Sequence, residues 1–238
     1  MGIKERQERD REAVRRAILD AARELFVTEG FQHVSIRKIA ERIEYSPAAI
    51  YSYFPSKDDI FFALAEEGFR LLGSPADAAA QEQLDGLAPL DRLRAVFWRM
   101  YDFSREHPQY FALMFMERSV PRISREYERF AFVRTRKKEI AAEIDACIAS
   151  GDLPASTNSS VAMRVLTAGL IGIATLRLTE RLAPTENADD LARDILNVTL
   201  AGLRAGERLQ SSAAAMCAVE EEPDRQPVRA ASPAVQES

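Results

Sequence analysis

The side chains best suited to chemistry lie between Ser35 and Lys57, in the run SIRKIAERIEYSPAAIYSYFPSK. Ser35, Arg37, Tyr51 and Lys57 offer hydroxyl, guanidinium and ammonium donors. Such groups suit hydrogen bonds and ion pairs to a bound partner rather than covalent chemistry. No nucleophile motif, metal-ligand spacing or phosphate-binding glycine loop accompanies them. The acid pair Asp58-Asp59 reads as favourable charge at a helix start rather than as a catalytic dyad. No catalytic residue, cofactor or metal is assigned, and the chain is not expected to be an enzyme.

Two short helices must position this set. Ile36, Ile39, Ala40 and Ile43 share one face at helical spacing. Glu44-Tyr45 interrupts the period. Ser46 is a good N-cap, and Pro47 sits at the first helical position, where its missing N–H costs nothing. Ala48 to Phe54 makes about two turns, with Ile50 and Phe54 buried. Pro47, Ala48, Ala49, Tyr51, Ser52 and Tyr53 occupy the other faces. Ser56 can cap the next helix, with Asp59 three residues on. Two helices joined by a short turn, the second short and largely uncharged, fit a helix-turn-helix over about residues 35–54 that lays its second helix in a major groove.

Over roughly Arg11 to Leu72 the chain resembles the DNA-binding domain of the tetracycline-repressor family of transcriptional regulators. The residues that carry the resemblance are SIRKIAERI…YSPAAIYSYFPSKDDIFFAL, above all Tyr51-x-Tyr53-Phe54-x-Ser56-Lys57-x-x-Ile60. The resemblance implies an all-α fold: a three-helix DNA-binding head and a helical body for ligand binding and dimerisation. It implies a DNA-binding set of Ser35, Arg37, Ser46, Pro47, Ala48, Ala49, Tyr51, Ser52, Tyr53 and Lys57. Ser35 and Arg37 would meet phosphate or an adjacent base edge, Tyr51 and Lys57 would clamp the backbone, and the rest would face the groove. The family usually has Gly in the turn, where this chain has Glu44. A left-handed backbone there would cost Glu about 1 kcal/mol.

Composition bounds the rest. The 238 residues carry 32 Lys and Arg against 37 Asp and Glu, a net charge of −5. Up to Lys57 there are eleven basic and nine acidic residues, so a slightly basic head sits on an acidic body. Cys147 and Cys217 allow no disulfide framework, and His33 and His107 stand far apart. No signal-peptide pattern opens the chain. The longest uncharged run, Val165 to Leu176, is shorter than the about 20 residues a bilayer needs. A cytoplasmic protein without membrane contact is expected.

Met1 to Asp10 is polar and expected to fray, though Lys4, Arg6, Arg9 and Arg11 could serve as an arm on DNA. A first helix is predicted over about Arg11 to Glu29, stopped by Gly30 in the manner of a left-handed C-cap. A fourth runs from Lys57 to Gly73 and ties head to body. Domains are therefore expected at 11–72 and 73–208. Within 73–89 a short helix near Ala76 to Leu84 is one option and a loop the other. Further helices are predicted over Leu90 to Glu106, Tyr110 to Glu117, Ile123 to Ser150, about 158–182 and about 188–208. In the last, Leu191, Ile195, Val198 and Leu203 are expected to point inward. No stretch alternates at period two for long, so no strand is expected. Residues 209–238 read as a disordered tail.

The body offers an aromatic and Met-rich set for an apolar ligand: Phe97, Met100, Tyr101, Phe111, Met114, Phe115, Phe130 and Leu166, with Arg118 and Arg134 as anchors for an acidic group. The same residues could be plain core. The expected partners are a pseudo-palindromic double-stranded DNA, a small effector and a second copy of the chain packed through the final two helices. The favoured function is a repressor released by its ligand. The alternatives are a helix-turn-helix regulator acting through protein partners and a helical enzyme.

Overall fold

The computed structural model describes residues 2–73, 78–121, 128–207 and 209. Every regular element among them is helical. The expected tail beyond Leu209, the start of the helix predicted from Ile123 and part of the 73–89 stretch lie outside the described residues. The head comprises α1 (Ile3–Glu29), α2 (Ile36–Arg42) and α3 (Pro47–Tyr51). A 17-residue α4 (Lys57–Gly73) leads out of it. The body adds α5 (Ala78–Asp85), α6 (Pro89–Glu106), α7 (Pro108–Phe111), α8 (Ala131–Ala149), α9 (Ser159–Leu178) and α10 (Ala188–Arg204).

The first helix begins eight residues before its predicted start. Residues 3–10 read Ile-Lys-Glu-Arg-Gln-Glu-Arg-Asp, with no Gly or Pro, and the Lys, Glu, Arg and Gln among them are good helix formers even without an apolar face. Ile18, Leu19, Ala21, Ala22, Leu25 and Phe26 then bury one side of α1. Gly30 has φ 83° and ψ 142°, so it turns the chain with an extended ψ rather than the left-handed helical cap expected. Its positive φ still favours glycine. Its amide donates to the Phe26 carbonyl at 3.1 Å.

Head and body are joined by packing and by ions. Rings run in edge-to-face and tilted contact from Phe26 to Phe31, Phe61, Phe62, Phe130, Phe132, Phe69 and Phe115, with centroids 5.0–6.2 Å apart. Arg16 of α1 donates to Glu67 of α4 at 2.5 Å, and Arg23 donates to the Tyr110 hydroxyl at 2.9 Å. Arg129 donates to Asp59 at 2.5 Å. A Cβ at Gly68 would stand 2.4 Å from Met114 Sδ, so a glycine lets α4 approach the segment after α7 this closely.

The Glu67 carboxyl sits below its ordinary value. Burial pushes it up, but hydrogen bonds with Arg16 and Tyr110 and the charges of Arg16 and Arg23 outweigh burial. A depressed carboxylate contributes stability above its unfolded value, about 4.3, and loses it as pH falls through the lower folded value. Glu67→Gln should therefore lower Tm at neutral pH and flatten its fall below about pH 4.3. Melting curves across that range test this.

Between α7 and Glu117 the predicted single helix splits. Ala112–Met116 forms a π-helical turn, closed by the Glu117 amide on the Ala112 carbonyl at 3.0 Å. In α10 the buried stripe is Ala192, Leu196, Leu200 and Leu203. Val198 was expected inward but is 72% exposed. It stands two residues from both Leu196 and Leu200, on the opposite side of the helix. The helix built on the uncharged run, α9, reaches 20 residues and is long and apolar enough by composition to cross a membrane. Here it packs against α6, α8 and α10. Arg177 near its end donates to the Ser104 carbonyl at 2.7 Å. Its Gly169 lies where a Cβ would meet Ile195 of α10 at 2.5 Å.

Candidate nucleic-acid interface and effector cavity

Both helices of the helix-turn-helix are capped by their own serines. Ser35 Oγ accepts from the Lys38 amide, and Ser46 Oγ accepts from the Ala49 amide, each at 3.2 Å. Ile39 and Ile50 are fully buried and hold the two helices together. This fixes what faces outward. Ser35, Arg37, Ser46, Pro47, Ala48, Tyr51 and Ser52 are exposed; Ala49, Tyr53 and Lys57 are half-buried. Arg37 is held by Glu41 at 2.8 Å on the surface. Tyr51 is 55% exposed.

Three details depart from the expectation. The second helix ends at Tyr51, and Ser52 and Tyr53 form a turn. Tyr53 lies 5.8 Å from the Arg11 guanidinium, stacked on α1 rather than extended into solvent. Lys57 is turned inward. Its ammonium donates to the Phe31 carbonyl at 2.6 Å and lies 4.2 Å from the Phe31 ring centroid. Desolvation lowers its pKa, with Asp58 opposing the shift. The short 3-10 turn Phe31–His33 leaves the Phe31 carbonyl in need of a donor, and Lys57 supplies it. Tyr45, 45% exposed in the turn, joins the outward set. Sequence reading passed over it as an interruption, although a tyrosine with no core partner at a turn is itself a signal.

Glu44 has φ 59°, the left-handed conformation that the turn demands. Its strain is uncompensated by any ion pair among the described residues. Glu44→Gly is expected to raise stability by about 1 kcal/mol. A higher urea midpoint at unchanged m would register it.

The body contains a partly open cavity of about 490 Å³. Its walls come from α4 (Phe61, Ala65, Phe69, Leu72), α6 (Met100), the π-turn (Met114, Phe115), Val120, Pro121 and Phe130, then α8 (Val133, Arg136, Lys137, Ile140) and α9 (Met163, Arg164, Thr167, Ile171). Of the ten residues expected here, Met100, Met114, Phe115 and Phe130 line it. Phe97, Tyr101, Phe111 and Leu166 are fully or nearly fully buried and lie outside the lining. Tyr101 instead donates to Asp189 at 2.7 Å, and burial, then Asp189, push its hydroxyl up to about 12. Arg118 is exposed, and Arg134 lies outside the lining. Val133, Lys137 and Ile140 follow one helical face with Arg136 beside it, whereas Arg134 falls about 100° away. Cys147 is buried, and burial, then Asp152 and Glu143, push its thiol up to about 11. It is a poor nucleophile at neutral pH.

The architecture defines a class: a helix-turn-helix head carried on a helical body with its own cavity. The chain belongs to the tetracycline-repressor family of bacterial regulatory proteins. Residues 18–64 match the family described as "Bacterial regulatory proteins, tetR family", and residues 93–199 match "Tetracyclin repressor-like, C-terminal domain". The chain is 34% identical over 104 residues to the HTH-type transcriptional repressor Rv1474c of Mycobacterium tuberculosis, covering 39% of this chain and 56% of that protein. It is 34% identical over 137 residues to the nucleoid occlusion factor SlmA of Vibrio atlanticus, covering 54% and 67%. The chain spans about half the length of the first curated relatives it matches. Among solved structures, FadR of Bacillus subtilis in complex with stearoyl-CoA superposes with a TM-score of 0.64 at 16% identity, covering 78% of this chain and 97% of that one. At that identity the likeness concerns the fold.

Proposed function

We propose that this chain is a dimeric, sequence-specific DNA-binding regulator in the cytoplasm, a repressor released from its operator by a small, largely apolar effector. One observation carries the reading: α4 belongs to both halves. Its first turn is tied to the head through Lys57 and Phe31, while Phe61, Ala65, Phe69 and Leu72 of the same helix form a cavity wall. An effector that alters the wall therefore acts on the helix that holds the head. To release DNA it must bind the DNA-incompetent arrangement better, typically by about 1–3 kcal/mol. That FadR, a neighbour in fold, forms a complex with stearoyl-CoA supports reading this chain as a binder of a small effector.

Domains 11–72 and 73–208 divide the work. In the head, α3 enters the major groove with Pro47, Ala48 and Ala49 on its groove side and Ser52 just beyond its end, while Tyr53 packs back on α1. Ser35, Arg37, Ser46, Tyr45 and Tyr51 meet phosphates or adjacent base edges, and Lys57 holds the head together. The dimer forms through α9 and α10, whose outer face carries the exposed Val198. Such a dimer reads two half-sites about one helical turn, ~34 Å, apart or more. Selection of binding sites from random DNA tests the reading. A pseudo-palindrome should emerge; enrichment of no sequence would contradict it.

A further inference from the structure

Resting on the effector reading above, we infer that the effector is an amphiphilic anion, with an apolar body and one carboxylate or phosphate head. The charge of the lining carries this. Among the described residues, Arg136, Lys137 and Arg164 are the charged groups that line the cavity, and no acid lines it. That runs against the background, because beyond Lys57 acidic residues outnumber basic ones. The three cations also share one side. They stand on α8 and α9, while α4, α6 and the π-turn contribute apolar side chains alone.

Arg136 adds a second, independent observation. Its Nη1 is held by Glu139 at 3.0 Å, which fixes the guanidinium, yet its Nε is buried with no acceptor among the described residues. A buried guanidinium N–H without a partner is unfavourable, and an anionic oxygen is the strongest acceptor it can be given. An alcohol would satisfy the hydrogen bond but bring no charge to Arg164, whereas Arg136 is already paired with Glu139. An amine would add a fourth cation. The head therefore settles between α8 and α9, and the tail lies along Phe69 and Phe115 toward α4. This orientation puts the apolar tail on the helix that reaches the DNA-binding head.

Calorimetric titration of the full chain with laurate, 1-dodecanol, dodecylamine and lauroyl-CoA tests the inference. Laurate or lauroyl-CoA should bind at least about tenfold tighter than dodecanol, and dodecylamine most weakly. Arg136→Leu should remove most of that preference, weakening laurate and lauroyl-CoA more than it weakens dodecanol. Arg164→Gln, at an exposed position, should reduce the preference without touching the core. If laurate binds tighter than lauroyl-CoA, the head is a carboxylate; the reverse makes it a phosphorylated group. Both outcomes support an anion, provided Arg136→Leu weakens them. Dodecanol binding as tightly as laurate would overturn the anion while leaving an apolar effector standing. A preference that survives both substitutions would overturn the site. Binding by none of the four would sink the effector reading itself.

Discussion

Replacing Tyr51 by alanine lowers operator affinity by about two to four orders of magnitude and leaves the fold intact. The side chain is 55% exposed, and no hydrogen bond or ring contact among the described residues holds it. Its removal therefore opens no cavity. Ile50 beside it is fully buried and keeps α3 packed on α2. A hydrogen bond to a charged group contributes about 1.5–3 kcal/mol, and a dimer uses the residue twice. Fluorescence anisotropy with the selected operator measures the loss, and circular dichroism checks the fold. Unchanged affinity would remove Tyr51 from the interface and call the orientation of α3 into question.

Replacing Val198 by glutamate should have the second large effect, on assembly. Val198 is 72% exposed on α10, opposite the stripe that packs on the rest of the body. A lone monomer gains nothing from a valine there, and a glutamate would be harmless in solvent. In a dimer built on this face, two carboxylates would be buried without partners, which interfaces tolerate poorly. The variant should run as a monomer in light scattering and melt near the parent's Tm. Its operator affinity should fall by about two to four orders of magnitude, because the second half-site is no longer bound intramolecularly. A variant that stays dimeric would put the interface elsewhere.

The head was legible because its signals are local. Ser46-Pro47 marks the start of α3, Ser56 and Asp59 mark the start of α4, and the structure shows those caps. The turn at Glu44 was legible in kind, as a left-handed position occupied by a residue other than glycine. What sequence could not convey was direction beyond one turn. Lys57 looked like a phosphate ligand because its type and place fit, but a neighbouring carbonyl, 26 residues back in the chain, claims it. Periodicity separates buried faces from exposed ones, but it cannot tell a side chain facing another side chain from one facing a void. Phe97 and Phe115 look alike in sequence, yet only Phe115 borders the cavity. The basic stretch from Arg134 to Lys138 was visible, but which of its members face inward depends on the phase of α8. Val198 was misplaced for a related reason: α10 is apolar on two sides, and the stripe through Leu196 and Leu200 took the core.

The most direct test is a titration of the selected operator with the full chain, followed by anisotropy over a salt series. The account predicts saturation at two chains per site. It also predicts a steep fall of affinity with salt, with the release of phosphate counterions, and much weaker binding to unrelated DNA of equal length. Equal, weak binding to both DNAs, or saturation at one chain per site with full affinity, would contradict it.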